Sequence, residues 1–279
     1  MIVVRNQYQF STPYRRQENQ DRCFWIASQS RTGGYRDLVV YAVCDGISNA
    51  NGGKAADWAV QSLYGSLGEM AGELGRLSGV PTGPDAEIGD VLTAQEEEHW
   101  LQGCLTRAIL TADAFLRTKI ECGTTISLAA VFNEHVYTAN VGDSPVFLLK
   151  WEGRQPARLE ELYTCHNKAG ALVREGKMER DEALRSPYKN HLELAVGVGI
   201  KLNAENISHR SAALAEHNIL LLGSDGALSV FPVRRLEEIA RGAAAEDMRF
   251  LSEAVFEGVK DVEEATDNFT LIASRIDLK

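Results

Sequence analysis

Hydrophobic positions along the chain follow two periods, and the switches between them outline the secondary structure. Residues 1–10 open with Ile2, Val3 and Val4 and continue with polar alternation, the pattern of a strand. Apolar runs at 23–27 and 38–44, on either side of a turn signal at Gly33-Gly34, read as two more strands. From Gly53 the period lengthens. Ala56, Val60, Leu63, Leu67, Met70 and Leu74 recur at steps of four and three, which puts them on one helical face. Pro81, Gly83 and Pro84 mark 79–90 as a loop. Thr93 and Glu96 then make a capping box before a second helix, whose stripe is Leu101, Leu105, Ala108, Ala112 and Phe115.

Strands return at 125–132, 136–141 and 146–150, and the short turn-like joints between them suggest an antiparallel meander. Residues 166–184 read as a helix that ends before Pro187, and 219–222 as a strand. Helices at 234–240 and 247–259 and a strand at 269–273 complete the pattern. No repeat, low-complexity tract or compositional break interrupts it, so one α+β domain spanning 1–279 is expected.

Composition narrows the function. With 44% hydrophobic residues, 279 positions suffice for a sizeable core. A formal net charge of -10 disfavours nucleic acid and anionic membrane surfaces as partners, though a local basic pocket for one phosphate remains compatible with it. No run of about 18 apolar residues marks a membrane span, and the start lacks a signal peptide's apolar core. Five scattered cysteines without a CxxC pair argue against a disulfide framework or zinc ribbon, so a cytoplasmic location is expected.

The candidate chemistry lies where the aspartates fall. The run 38–44 leads straight into Asp45-Gly46, and 219–222 leads through Gly223-Ser224 into Asp225-Gly226. Asp143 follows the strand 136–141, while Asp21 and Asp267 precede the strands 23–27 and 269–273. If such strand ends converge, the carboxylates repel: at ~4 Å and an effective dielectric of ~20, each pair costs about 4 kcal/mol. Protonation or cations must then relieve them, and an all-oxygen set suits Mg²⁺ or Mn²⁺. Asp-Gly after a strand is equally the commonest kind of turn, and spacing alone does not decide between the two.

At these residues the chain resembles the metal-dependent protein phosphatase family, the PPM or phosphatase 2C type, over almost its whole length. Arg16-Gln17-Glu18-Asn19-Gln20-Asp21 resembles the opening motif, whose arginine contacts the substrate phosphate. Val43-Cys44-Asp45-Gly46 resembles the second, whose aspartate bridges two metals while the glycine carbonyl binds one. Gly123-Thr124-Thr125 and the segment 139–144 resemble the central strand pair. Leu222-Gly223-Ser224-Asp225-Gly226 and Asp267-Asn268-Phe269-Thr270 resemble the last two metal motifs.

The resemblance implies a four-layer α-β-β-α sandwich of two antiparallel sheets flanked by helices. It also implies two Mn²⁺ or Mg²⁺ ions held by Asp21, Asp45, Gly46, Asp225 and Asp267, with Asp143 at a third, weakly held ion. The implied activity is hydrolysis of phosphoserine and phosphothreonine in proteins by a metal-activated hydroxide, with Arg16 on the phosphate and Asp45 at the catalytic centre. Phosphorylated proteins and a cognate Ser/Thr kinase would be its partners.

Three positions depart from the family pattern. Ile47-Ser48-Asn49-Ala50 stands where many bacterial relatives carry Met-Gly-Gly-His, so no histidine acid is available there and a metal-ordered water would protonate the leaving group. Pro145 replaces an arginine, and Cys165-His166 stands for Asp-His. The alternative reading that the altered loop Ile47-Ser48-Asn49-Ala50 motivates is a catalytically silent phosphatase-like binding module. The segment 166–194 would be the flap bordering the cleft; its Arg174, Lys177, Arg180, Arg185 and Lys189 either gather phosphopeptides or form a solvated face.

Other chemistries fail on spacing. Gly52-Gly53-Lys54 lacks the P-loop's leading glycine and its Ser or Thr, having Ser48 and Ala55 instead. The six histidines form no HExxH or i,i+4 pair.

Overall fold

A computed structural model of the chain describes residues 2–28, 38–47, 51–77, 93–119, 121–152, 155–243 and 247–278. The turn at Gly33-Gly34, the loop 79–90 and the side chain of Leu74 lie outside the described residues.

Among the described residues, ten strands form two antiparallel five-stranded sheets. One contains β2 (Asp21–Ser28), β3 (Leu38–Asp45), β4 (Ile126–Phe132), β5 (His135–Val141) and β8 (Ser208–Ala213), in that spatial order. The other runs β1 (Ile2–Thr12), β10 (Phe269–Leu278), β9 (Asn218–Gly223), β6 (Val146–Glu152) and β7 (Gln155–Glu161).

Alternation along the strands builds three apolar layers. In β3, Leu38, Val40, Ala42 and Cys44 pack under the long helices α1 (Gly52–Leu77) and α2 (Ala94–Arg117), while Val39, Tyr41 and Val43 face the second sheet. Between the sheets they meet Leu148, Leu220, Leu222 and Ile272. Ile219, Leu221, Phe269 and Leu271 pack under α6 (Val233–Ala243) and α7 (Met248–Lys260) on the far side. Each large aliphatic side chain fully buried in these layers stabilises the fold by about 1.5–3 kcal/mol. The result is the expected four-layer sandwich.

The capping box of α2 forms as its sequence implies: Thr93 Oγ1 accepts from the Glu96 amide, and the Glu96 carboxylate accepts from the Thr93 amide. Leu101, Leu105, Ala108 and Ala112 of the stripe are buried, with Leu116 taking the place at the end that Phe115 only partly fills.

Two expectations are corrected. The meander at 125–150 does not exist: β4 and β5 pair as a hairpin, but β6 crosses to the other sheet and pairs with β9 and β7. Residues 166–184 are not one helix. α3 (Lys168–Arg174) stops at a left-handed turn at Gly176 (φ 68°), and α4 (Arg180–Ala183) follows, with a 3-10 turn at Pro187–Asn190. A further short helix, α5 (Asp225–Leu228), follows β9.

Candidate active site

Two crossings between the sheets, residues 13–20 and 142–145, lie at the same end of the sandwich, and there the aspartates gather. Asp21, first in β2, pairs directly across the ladder with Asp45, last in β3. In the facing sheet, Gly223 at the end of β9 pairs with Leu271 near the start of β10, which places Asp225 and Asp267 at that end as well. Asp143 enters from the crossing between β5 and β6, where the carbonyl of Pro145 accepts a hydrogen bond from the Gly223 amide at 3.1 Å.

The backbone around Asp45 is held on both faces. Its carbonyl accepts from Thr124 Oγ1 and from the Thr125 amide, each at 2.8 Å, and its amide donates to Thr125 Oγ1 at 3.0 Å. Gly46 is required at the next position: a Cβ there would sit 2.4 Å from the Gly52 carbonyl oxygen and 2.7 Å from that of Gln20. Gly226 has the same office beside Asp225, where a Cβ would lie 2.1 Å from the Asn268 carbonyl oxygen. Of the departing loop, Ile47 is described and its amide donates to the Gly123 carbonyl at 3.0 Å; Ser48, Asn49 and Ala50 lie outside the described residues.

The electrostatics are those of a crowded acidic pocket. Burial pushes the Asp45 carboxyl well above the usual range, and the charges of Asp21, Asp225, Asp143 and Asp267 add to that. Asp21 rises to about 6, mainly through burial, although the nearby hydroxyls of Ser224 and Thr270 favour its anion. Asp143 rises to about 7 for the same first reason, with Asp225 contributing. The carboxyls of Asp21, Asp45 and Asp225 act on one another's ionisation. Asp21 Oδ2 is buried with no hydrogen-bond partner among the described residues.

An orphaned buried carboxylate oxygen among mutually repelling carboxylates fits a site for hard divalent cations. Among the described residues no three His, Cys, Asp or Glu side chains stand close enough to hold an ion by themselves.

Arg16 reaches the cluster from the 13–20 crossing. Its Nε and Nη2 donate to the two oxygens of Asp267 at 3.1 and 2.8 Å, a bidentate pair at the partly exposed rim. Asn268 fixes that crossing: its Oδ1 accepts from the Gln20 amide at 2.8 Å, and its Nδ2 donates to the carbonyls of Glu18 and Pro13 at 2.9 and 3.2 Å.

A cavity of about 950 Å³ separates the acidic floor from the segment 165–190, and Asp143, Asp225, Asp267 and Arg16 are among its lining residues. Of the six Lys and Arg residues of that segment, Arg174, Arg180, Arg185 and Lys189 line the cavity; Lys177 instead pairs with Glu175 at 2.7 Å, and Lys168 lies over the Tyr188 ring at 4.6 Å. Asn167, which the sequence reading passed over, links the two walls. Its Nδ2 donates to Asp143 Oδ2 and to the Lys189 carbonyl, both at 2.8 Å, and its Oδ1 caps α3 through the Gly170 amide. An asparagine directly before a helical stretch is a recognisable cap signal, though its second duty is visible only in three dimensions.

His166 is held at the root of the same segment. The Gly142 amide donates to its Nδ1 at 3.2 Å, which leaves the proton on Nε2 to be donated to Ser208 Oγ at 2.9 Å. Burial first, and then the charge of Arg174, lower its pKa to about 4.

A four-layer sandwich with an acidic pocket at one end of both sheets defines the class, and the sequence comparison agrees with it. The model of the family described as protein phosphatase 2C matches residues 10–166, and the chain belongs to that family. The serine/threonine phosphatase stp of Listeria monocytogenes is 30% identical over 182 residues, covering 63% of this chain and 69% of its own. The crystal structure of the PPM Ser-Thr phosphatase MsPP from Mycobacterium smegmatis, in complex with cacodylate, shares the fold with a TM-score of 0.67 and 23% identity over 99% of each chain. The catalytic domain of the serine/threonine protein phosphatase PstP, solved with two manganese ions, does so with a TM-score of 0.66 and 17% identity over 100% of each. The matched span holds Arg16, Asp21, Asp45, Gly46 and Asp143, while Asp225 and Asp267 lie beyond it.

Proposed function

We propose that this protein hydrolyses phosphoserine and phosphothreonine in proteins, at the acidic pocket and with divalent metal. The observation that carries the reading is the convergence of Asp21, Asp45 and Asp225, with Asp143 and Asp267 acting on them, around a buried carboxylate oxygen that lacks a partner. A pair of Mn²⁺ or Mg²⁺ ions bound there supplies the missing positive charge and acidifies a water toward neutral pH. Asp45, Asp21, Asp225, Asp267 and the Gly46 carbonyl are the donors that would hold such ions, and Asp143 would hold a third, more weakly bound one.

The chain's own groups do the rest. Arg16 presents a planar fork that already grips two oxygens of Asp267, and the same fork matches two nonbridging oxygens of a phosphate monoester. Binding of substrate would exchange one anion for the other at the rim. The hydrogen bonds from Thr124 and Thr125 keep the Asp45 strand end from yielding to its neighbours' repulsion. Ile47 has no proton to give, and His166 is neutral and engaged at both nitrogens, so neither protonates the departing alkoxide, and water is the proposed donor.

Phosphorylated Ser/Thr proteins are then the substrates, and the kinase that phosphorylates them is the opposing partner. Five free cysteines, all buried or partly buried, suit a reducing cytoplasm, and no helix among the described residues is long and apolar enough to cross a membrane. The whole of 1–279 is read as one catalytic domain.

The test is hydrolysis of an aryl phosphate and of a phosphothreonine peptide with Mn²⁺ and with excess chelator. Turnover that requires the metal is expected, and equal rates in both conditions would defeat the reading.

A further inference from the structure

The cavity is larger than one phosphate needs. At about 950 Å³ it lies near the upper end of the range typical of ligand sites, and its two walls carry opposite charge. The floor carries Asp143, Asp225 and Asp267 of the aspartate cluster. The facing wall, in a protein of net charge -10, supplies Arg174, Arg180, Arg185 and Lys189, and Arg210 lines the same space from β8.

These cations are not equivalent. Arg174 is spent on structure, donating to the Cys165 carbonyl within its own segment. Arg180 is paired with Glu161 at the end of β7, which ties the segment to the sheet. Arg210 donates to the carbonyl of its neighbour His209 at 3.1 Å. For Arg185 and Lys189, no carboxylate lies within ion-pair distance among the described residues. Both are exposed, and their backbones are fixed: Ser186 caps the 3-10 turn through the Tyr188 amide at 3.2 Å, and the Lys189 carbonyl is held by Asn167. Lys189 and Arg185 line the same cavity as Asp225, so this wall and the acidic floor share one space.

We propose that Arg185 and Lys189 form a subsite for acidic side chains, selecting phosphorylated Ser/Thr peptides that carry Asp or Glu beside the phosphorylated residue. The inference rests on the phosphatase reading for the position of the phosphate, and on charge and geometry for the rest. A substrate anion meets two cations that have no ion-pair partner among the described residues and whose backbones are fixed, so only the ordering of the two side chains opposes the contact. A phosphopeptide rich in Lys or Arg would face those same cations as like charges. Exposed carboxylates of the lining, Asp181 and Glu264, do not neutralise them, since neither is within ion-pair distance of Arg185 or Lys189.

Two fluorescein-labelled phosphothreonine peptides of equal length test this, one with Glu and one with Lys on both sides of the phosphorylated residue. Affinity is read by fluorescence anisotropy and kcat/KM by phosphate release with Mn²⁺. Two exposed charge contacts predict about a tenfold preference of the wild type for the acidic peptide, shrinking to about twofold near 1 M salt. The Arg185→Ser/Lys189→Ser double variant should bind the two peptides within about twofold. Arg185→Glu, a change at an exposed position, should lower affinity for the acidic peptide and raise it for the basic one. Equal wild-type affinities, or a preference that survives in the double variant, would overturn the proposal. Preference in binding without metal-dependent turnover would leave the subsite standing and remove the phosphatase reading; turnover without preference would do the reverse.

Discussion

The two walls of the cavity are built by different means. The floor hangs on strand ends whose ladder partners fix them: Asp21 opposite Asp45, Gly223 opposite Leu271, and Val146 opposite Leu222. The other wall is short helices and turns, moored by single side chains such as Arg180 on Glu161 and Asn167 on Asp143. Repulsion can be stored only in the first kind of support. A strand end locked by Thr124 and Thr125 cannot retreat, so burial first, and the neighbouring charges after it, push the carboxyls of Asp45, Asp21 and Asp143 upward in pKa. The moored wall carries charge of the opposite sign and needs no such rigidity.

The contrast gives an ordered set of outcomes. The largest belongs to the floor. Asp45→Asn should lower kcat by about three orders of magnitude or more while the fold persists, because it removes the central donor. In chelator, the same variant should melt higher than wild type, by about 3 °C, since an amide of the same shape replaces a carboxyl whose ionisation burial and its neighbours oppose. A lower melting temperature in chelator, by scanning calorimetry, would break the argument that the cluster stores repulsion.

Next comes Arg16, which stands between the walls. Arg16→Ala should lower kcat/KM by about 100-fold, and Arg16→Lys should recover only part, because a point charge cannot grip two oxygens at once. Full recovery by lysine in steady-state assays would show that the fork is not used.

The smallest effect is one of pH, and it separates the walls by sign. His166 is neutral when folded, with a pKa of about 4, against about 6.5 when unfolded. The unfolded chain therefore takes up a proton first, and stability from this group is lost as pH falls from about 6.5 to about 4. Asp143 and Asp21 are raised to about 7 and 6, so their contribution is present at low pH and lost as pH rises through those values. Urea denaturation in chelator at pH 7 and 5 should show His166→Gln gaining more stability on acidification than wild type, and Asp143→Asn gaining less. Parallel behaviour of the two variants would sink the assignment.

Much of this was legible before the fold. β3 announces itself because both of its faces are buried, one under the helices and one against the other sheet, so every position from Leu38 to Cys44 is apolar. β7 and β8 escaped notice because they are edge strands with one ladder partner each and polar sequences, Gln155–Glu161 and Ser208–Ala213. β6 was recognised as a strand but given the wrong neighbours, since periodicity reports burial and not pairing. Each aspartate was visible at its strand end, yet their meeting depends on two sheet orders that no local pattern encodes. The grip of Arg16 on Asp267 spans 251 residues and was equally out of reach.

Asn167 spends one amide nitrogen on two acceptors from opposite sides of the cavity. Whatever draws the Asp143 oxygen away loosens the turn that carries Lys189, and whatever pulls that turn outward uncovers Asp143. Chemistry at the base and the posture of the lip therefore share a hinge pin. Amide exchange at 187–190 is the place where a change below would be heard above.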